Sequence, residues 1–143
     1  MTNTIRLSLA LMALPMASIP PYALAETAGQ PIRYQGVCDY NPAIVQKFPT
    51  TDGFVRCDAL SISRSNGQSV ISYERTPQGK RIAFHGKLEG DHMAISRVWL
   101  DDRMLDGRGK CTIYRDGDGL VSIVTCIGQA GQTPLAANFR VLR

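Results

Sequence analysis

His85 and His92 are the only histidines in the chain. A hairpin turning at Gly90 would bring them together and offer two imidazoles to a metal ion. Beyond Asp91, adjacent to His92, no third ligand is evident, and as plain strand residues they need no metal. Asp101, Asp102 and Asp106 fall in one polar stretch, and Asp116 and Asp118 in another. Paired carboxylates divide acid and base roles when their surroundings split their pKa values. The run Asp116-Gly117-Asp118-Gly119 has the outline of a calcium loop, but it lacks the third acidic position and the closing glutamate. Tight-turn chemistry accounts for the same four residues. The chain has no G-x-S-x-G elbow, no H-E-x-x-H, no phosphate-binding glycine loop and no dinucleotide fingerprint. Scattered serines could join a histidine and an aspartate, but serines are plentiful and the pattern is unspecific. No catalytic residue is assigned, and no metal or cofactor is expected.

The cysteines carry more information. All four, Cys38, Cys57, Cys111 and Cys126, lie in the later part of the chain, and no C-x-x-C pair marks a zinc site. Asp118-Gly119 is a strong signal for a two-residue hairpin turn, whose central positions need positive φ. Folding back there sets Tyr114 opposite Ile123, Thr112 opposite Thr125 and Cys111 opposite Cys126. Turn and cysteines thus agree on one register. Counting out from a two-residue turn puts Cys111 and Cys126 on a hydrogen-bonded pair, with Cα atoms ~5.5 Å apart, unless a bulge shifts the ladder. Of the three pairings, Cys38–Cys57 and Cys111–Cys126 are favoured because each closes a short loop. A cysteine nucleophile is excluded if all four are paired.

Met1 to Ala25 reads as a secretory leader. Arg6 supplies the positive start, and Leu7 to Ala17 is an apolar run too short to span a bilayer. Ala23-Leu24-Ala25 then gives a cleavage signal. Mature residues 26–143 would form a single domain, small enough to gain from covalent ties. No later stretch suits a transmembrane helix. The mature chain carries 15 Lys and Arg against 12 Asp and Glu. These charges are spread and not clustered, which argues against nucleic acid and leaves a mild attraction to anionic lipid or polysaccharide of the envelope.

Alternation of period two recurs along the mature chain. The expected strands are Ile32 to Tyr40, Phe54 to Arg64 with an irregularity near Asp58-Ala59, and Val70 to Arg75. Lys80 to Leu88, bent at Gly86, His92 to Leu100, the two arms around Asp118-Gly119, and Leu135 to Val141 complete the set. Asn66-Gly67 is a second hairpin signal. One short helix is expected from Pro42 to Phe48. Asp101 to Gly109 and Gly128 to Thr133 read as loops. About eight strands with turns every eight to twelve residues predict an all-β antiparallel barrel or sandwich. Pairing between an N-terminal strand and Leu135 to Leu142 would close it and remove the sheet edges.

Trp99 lies among Arg97, Asp101, Asp102 and Arg103. A lone tryptophan ordinarily packs in a core; an exposed one among charges is a contact hot spot. Trp99, Asp101, Asp102 and Arg103 form the candidate contact surface. In size, leader and disulfides the chain resembles periplasmic lysozyme inhibitors of small-barrel type, a resemblance of class that carries no residues across. The functional expectation is a periplasmic or secreted, non-enzymatic binding domain for a protein or small ligand. The alternatives are a carrier of an apolar ligand inside the barrel and, third, a small hydrolase with a Ser or Asp beside a histidine in a cleft.

Overall fold

The computed structural model describes residues 29–46 and 53–143. The leader, its cleavage point, the end of the expected helix at Phe48 and the start of the turn at Thr50 lie outside the described residues. The fold is all-β. Eight strands follow in order: β1 (Ile32–Cys38), β2 (Ala59–Ser65), β3 (Gln68–Arg75), β4 (Lys80–Glu89), β5 (His92–Leu100), β6 (Arg103–Arg115), β7 (Val121–Ala130) and β8 (Thr133–Val141). Each pairs antiparallel with the next, and β1 pairs with β8, so the sheet closes as a barrel. A short helix, α1 (Pro42–Val45), lies between β1 and β2, with the Asn41 side chain accepting the Ala43 N–H at its start. A 3-10 turn at Thr76–Gln78 joins β3 to β4.

Alternation sends one side of each strand inward. Leu60, Ile71, Tyr73, Phe84, Met93, Val98, Val124 and Phe139 are all less than 2% exposed, together with Cys111 and Cys126. The Tyr73 hydroxyl donates toward the Val124 carbonyl at 3.3 Å and lies 3.3 Å from Cys126 Sγ. Its ring meets Phe84 edge-on, with centroids 5.8 Å apart. The barrel's middle is therefore filled with side chains and one disulfide.

Both cysteine pairs form as expected, Cys38–Cys57 and Cys111–Cys126. The β6–β7 register holds from Cys111↔Cys126 to Tyr114↔Ile123, then shifts so that Arg115 faces Val121. The tip is longer than two residues. Asp116 donates its N–H to the Leu120 carbonyl, and its Oδ1 accepts the N–H groups of Asp118 and Leu120. Ser122 is the extra residue, and its hydroxyl bonds back to the Tyr114 carbonyl at 3.1 Å. A one-residue bulge exchanges the two kinds of ladder pair. Cys111 and Cys126 accordingly sit 4.0 Å apart at Cα, the spacing of a non-hydrogen-bonded pair and not the wider one expected.

Two expected loops are strands. Asp101 to Gly109 contributes only a two-residue turn at Asp101-Asp102, after which β6 begins at Arg103. The glycines that suggest a loop sit where barrel walls come close. Gly109 has φ of 137°, and a Cβ there would overlap the Ile127 carbonyl. At Gly128 to Thr133, β7 runs on to Ala130 and only Gly131-Gln132 turn. The irregularity near Asp58 is larger than expected, because β2 starts at Ala59 and Phe54, outside it, forms a parallel bridge with Ala136 of β8 instead. The bend at Gly86 is present as a register shift between His85 and Gly86.

The seam between β1 and β8 is uneven. Only Gly36↔Val141, Val37↔Arg140 and Cys38↔Phe139 pair across it. Beyond Cys38 the line is continued by Gly53 to Val55: Ala136 donates to the Gly53 carbonyl and accepts from the Val55 N–H. Before Gln35 nothing among the described residues continues it. Leu142 donates to the Gln35 carbonyl. By the period of two, the Arg33 peptide groups face the same way, with no described neighbour there.

Candidate functional site

The two ends of the barrel differ. One end carries the β3–β4, β5–β6 and β7–β8 turns and is covered by the described parts of the β1–β2 connection, residues 39–46 and 53–58. There Tyr40 packs edge-on against Phe54 with centroids 4.9 Å apart, and its hydroxyl is shared between the carbonyls of Val55 and Ala136. Burial pushes the Tyr40 hydroxyl up to about 12. Asp58 secures the same cover, because its Oδ1 accepts the Thr76 hydroxyl at 2.7 Å and the Thr76 N–H at 2.9 Å. A shallow cleft of about 370 Å³ lies beside the Cys38–Cys57 bridge, lined in part by Tyr40, Phe54, Arg56 and Arg75.

The candidate contact surface projects from this covered end. Asp101 and Asp102 are exposed and both left-handed, with φ of 49° and 59°. A two-residue turn of this kind ordinarily takes Asn-Gly, and for a residue with a Cβ the left-handed region costs ~1–2 kcal/mol. Trp99 faces outward, since its neighbour Val98 is wholly buried in the core. This corrects the core reading of the tryptophan. It is half-buried on the outer wall, facing Ala83 across one ladder and Met104 across the other. Met104 is 39% exposed, and Arg103 is exposed beside the turn. The structure thus gathers Trp99, Met104, Asp101, Asp102 and Arg103 on one hairpin. Met104 was not singled out from sequence, where it sat inside an expected loop; an Asp-Asp type I′ turn would have exposed the pairing.

The other candidates disperse. Asp106 leaves the tip and faces Arg97 across the β5–β6 ladder. His85 also faces Arg97, while His92 faces Glu89 near the opposite end. The hairpin at Gly90 therefore separates the histidines by about four residues of strand, ~14 Å. His92 Nδ1 lies 3.4 Å from the Thr112 hydroxyl, and neither histidine lines the cleft beside the Cys38–Cys57 bridge or the one at the other end of the barrel. No cluster of three metal-ligating side chains occurs among the described residues. Asp116 is occupied in its turn and in an ion pair with Arg143.

The second end carries the β2–β3, β4–β5 and β6–β7 turns. Between the start of β1, the β2–β3 turn and the β6–β7 arms lies a cleft of about 490 Å³. Buried Ile62, Ile113 and Val121 form its floor, Ile32 and Tyr34 one wall, and Arg64 and Arg115 its charged lining. Arg115 is held by Asp91 at 2.9 Å and by the Gly119 carbonyl at 3.0 Å.

No protein-family model, curated protein or solved structure matches this chain. The class it defines rests on its own geometry: a small closed barrel with two disulfides, consistent with an oxidising environment.

Three titrations set an expected pH profile. The Thr76 hydroxyl and N–H hold Asp58 below its usual 3.8. Desolvation pushes Asp116 up, but the Leu120 and Asp118 N–H groups and Arg143 outweigh it and leave it lowered. Desolvation, aided by Arg97 and Arg81, lowers His85 from 6.5. In each case the unfolded chain takes up the proton first as pH falls. Stability should be flat from about pH 7 to about pH 9, slip on acidification as His85 becomes protonated in the unfolded chain, and fall again below about pH 4; above about pH 10 it should fall as well, because Tyr40, raised by burial to about 12, ionises first in the unfolded chain. Melting temperatures across this range check it, and Asp58→Asn should flatten the acid limb. A midpoint that rises on acidification would contradict the assignment.

Proposed function

We propose that the chain is an exported, non-enzymatic binding domain that meets a protein partner with the β5–β6 hairpin. The leader at 1–25 and the two disulfides support export. The observation that carries the binding surface is the Asp101-Asp102 turn. Two adjacent carboxylates sit in a backbone conformation that asparagine and glycine would adopt at lower cost. Such local strain marks positions kept for contact. Half-buried Trp99 and exposed Met104 beside it supply apolar area, and the paired charges select a cationic patch on the partner. Among the described residues Tyr73, Phe84 and Phe139 fill the barrel's middle, each less than 2% exposed, which supports recognition at the surface over carriage of a ligand inside.

Immobilised domain should retain a specific envelope protein. Asp101→Lys/Asp102→Lys and, separately, Trp99→Ala should lose it while the barrel stays folded, Trp99→Ala with a modest fall in melting temperature because the indole packs beside buried Ala83. Asp101→Asn/Asp102→Gly should also weaken retention while raising stability by about 1 kcal/mol. Equal retention by all three variants would exclude this surface.

A further inference from the structure

We infer that the outer wall of β5, β6 and β7 docks on a membrane surface through the phosphates of anionic phospholipids. The argument does not rest on the protein partner of the hairpin. Along the chain the cations are scattered, but closure of the barrel sorts them. Among the described residues Arg33, Lys87, Arg115, Arg140 and Arg143 are held in ion pairs. Arg97, Arg108 and Lys110 are exposed and in no ion pair among those residues, and all three stand on this wall. Val98 and Cys111 beside them are wholly buried, so Arg97 and Lys110 point outward. A Cβ at Gly107 would meet Val98 and Ile95, which places Gly107 inside and Arg108 outside. Lys110 lies opposite exposed Ala94, a side chain too short to shield it. Asp106, opposite Arg97, offsets one charge; Arg108 and Lys110 remain in surplus. His85, on the other side of Arg97, is lowered below 6.5 first by desolvation and then by the charges of Arg97 and Arg81, as a positive field there requires.

The shape of the wall selects a surface and not a small molecule. The outside of a closed barrel is convex, and neither cleft uses Arg97, Arg108, Lys110 or Ile127. Ile127 faces Lys110 across the β6–β7 ladder and is 64% exposed, the most of any large apolar side chain among the described residues. A bilayer fits that pairing. The guanidinium and ammonium groups would stay level with the phosphates, which they bind well, while Ile127 passed between the heads to the acyl boundary. The acidic hairpin tip does not oppose this contact. Asp102 is ~26 Å along β6 from Lys110, about three screening lengths at physiological salt. In the ring β5 lies opposite β1, and all the ladder neighbours of this wall fall within the described residues 53–143.

The test is sedimentation of the mature protein with lipid vesicles. It should bind mixed phosphatidylglycerol–phosphatidylcholine vesicles and not phosphatidylcholine alone. Binding should weaken at least about tenfold between low and physiological salt, as the screening length shortens to ~8 Å. A cation at an anionic surface is worth about fivefold in affinity, so Arg108→Gln/Lys110→Gln should cost about twenty-five-fold. Arg56→Gln/Arg75→Gln removes the same charge at the covered end and should cost less than about twofold. Ile127→Ser should cost about threefold, by the same factor at both salt concentrations. Arg108, Lys110 and Ile127 are exposed, so their variants should keep the parent melting temperature. Vesicles left unbound at low salt, equal binding to both lipid compositions, or equal losses from the two double variants would overturn the proposal. So would polyphosphate bound with the same Arg108 and Lys110 dependence while vesicles stay free, which would assign the wall to a dissolved polyanion.

Discussion

Replacing Cys111 and Cys126 together by alanine is expected to destabilise the protein by about 3 kcal/mol. The bridge closes a 15-residue separation, and in the chain-entropy account a loop of that size gives about this figure. For a domain of this size the loss should appear as a fall of roughly 10–15 °C in melting temperature. The bridge is wholly buried against Tyr73, so the alanines also leave part of the core unfilled. Thermal unfolding followed by circular dichroism, in oxidised protein and in the double variant, measures the difference. The Cys38–Cys57 bridge spans 19 residues, so its loss should cost a similar amount but act elsewhere. It tethers the cover at the filled end, and its removal should free Tyr40 and Phe54 before the barrel melts. Tyrosine fluorescence that changes ahead of the main transition would report this. An unchanged midpoint in the Cys111→Ala/Cys126→Ala protein would contradict the buried clasp.

The second large effect is expected at Gly36. A Cβ at this position would overlap the Arg140 carbonyl and the Phe139 ring. The ring can turn aside, but the carbonyl belongs to the three-pair seam that closes the barrel. Gly36→Ala should therefore cost about 3 kcal/mol, the upper range for overpacking, and raise amide exchange selectively in β1 and β8. Combining it with Phe139→Leu separates the two causes. Relief of the ring contact should recover only part of the loss, because the backbone overlap remains. A Gly36→Ala protein with native stability and a protected seam would show that the sheet does not close there.

Much of this architecture is legible in the residues, and the gaps have physical causes. Asn66-Gly67 turns as its dipeptide implies, with φ of 51° and 75°. Alternation in Leu60, Ile62, Ile71, Tyr73 and Phe84 names the inward face without reference to partners. The cysteine spacing around Asp118-Gly119 agrees with the final pairing even though the tip contains an extra residue. That extra residue is not legible, because a bulge at Ser122 is stabilised by hydrogen bonds from Asp116 that spacing alone does not rank. The start of β6 is hidden for a different reason. Gly107 and Gly109 have the composition of a loop, whereas in a tightly closed barrel they are where strands approach too closely for a Cβ. Trp99 is the instructive case for the site. A pattern of period two fixes parity only relative to a neighbour, and Val98 and Trp99 are both apolar. The shift between Ile95 and Arg97 decides which of them faces inward. The larger of the two clefts draws on four separate stretches, around residues 29–34, 62–67, 113–115 and 121, which only closure brings together. The seam beside it depends on where β8 stops relative to β1, a matter of register and not of composition.

The account's central claim is that recognition belongs to the β5–β6 tip of a stapled barrel. Placing a photo-crosslinking amino acid at Asp102, and as a control at Leu120 on the opposite end, tests it in the native envelope. Irradiation should join position 102, and not position 120, to one discrete protein, with the yield lost on adding Trp99→Ala. Adducts formed equally at both positions, or at Leu120 alone, would contradict it.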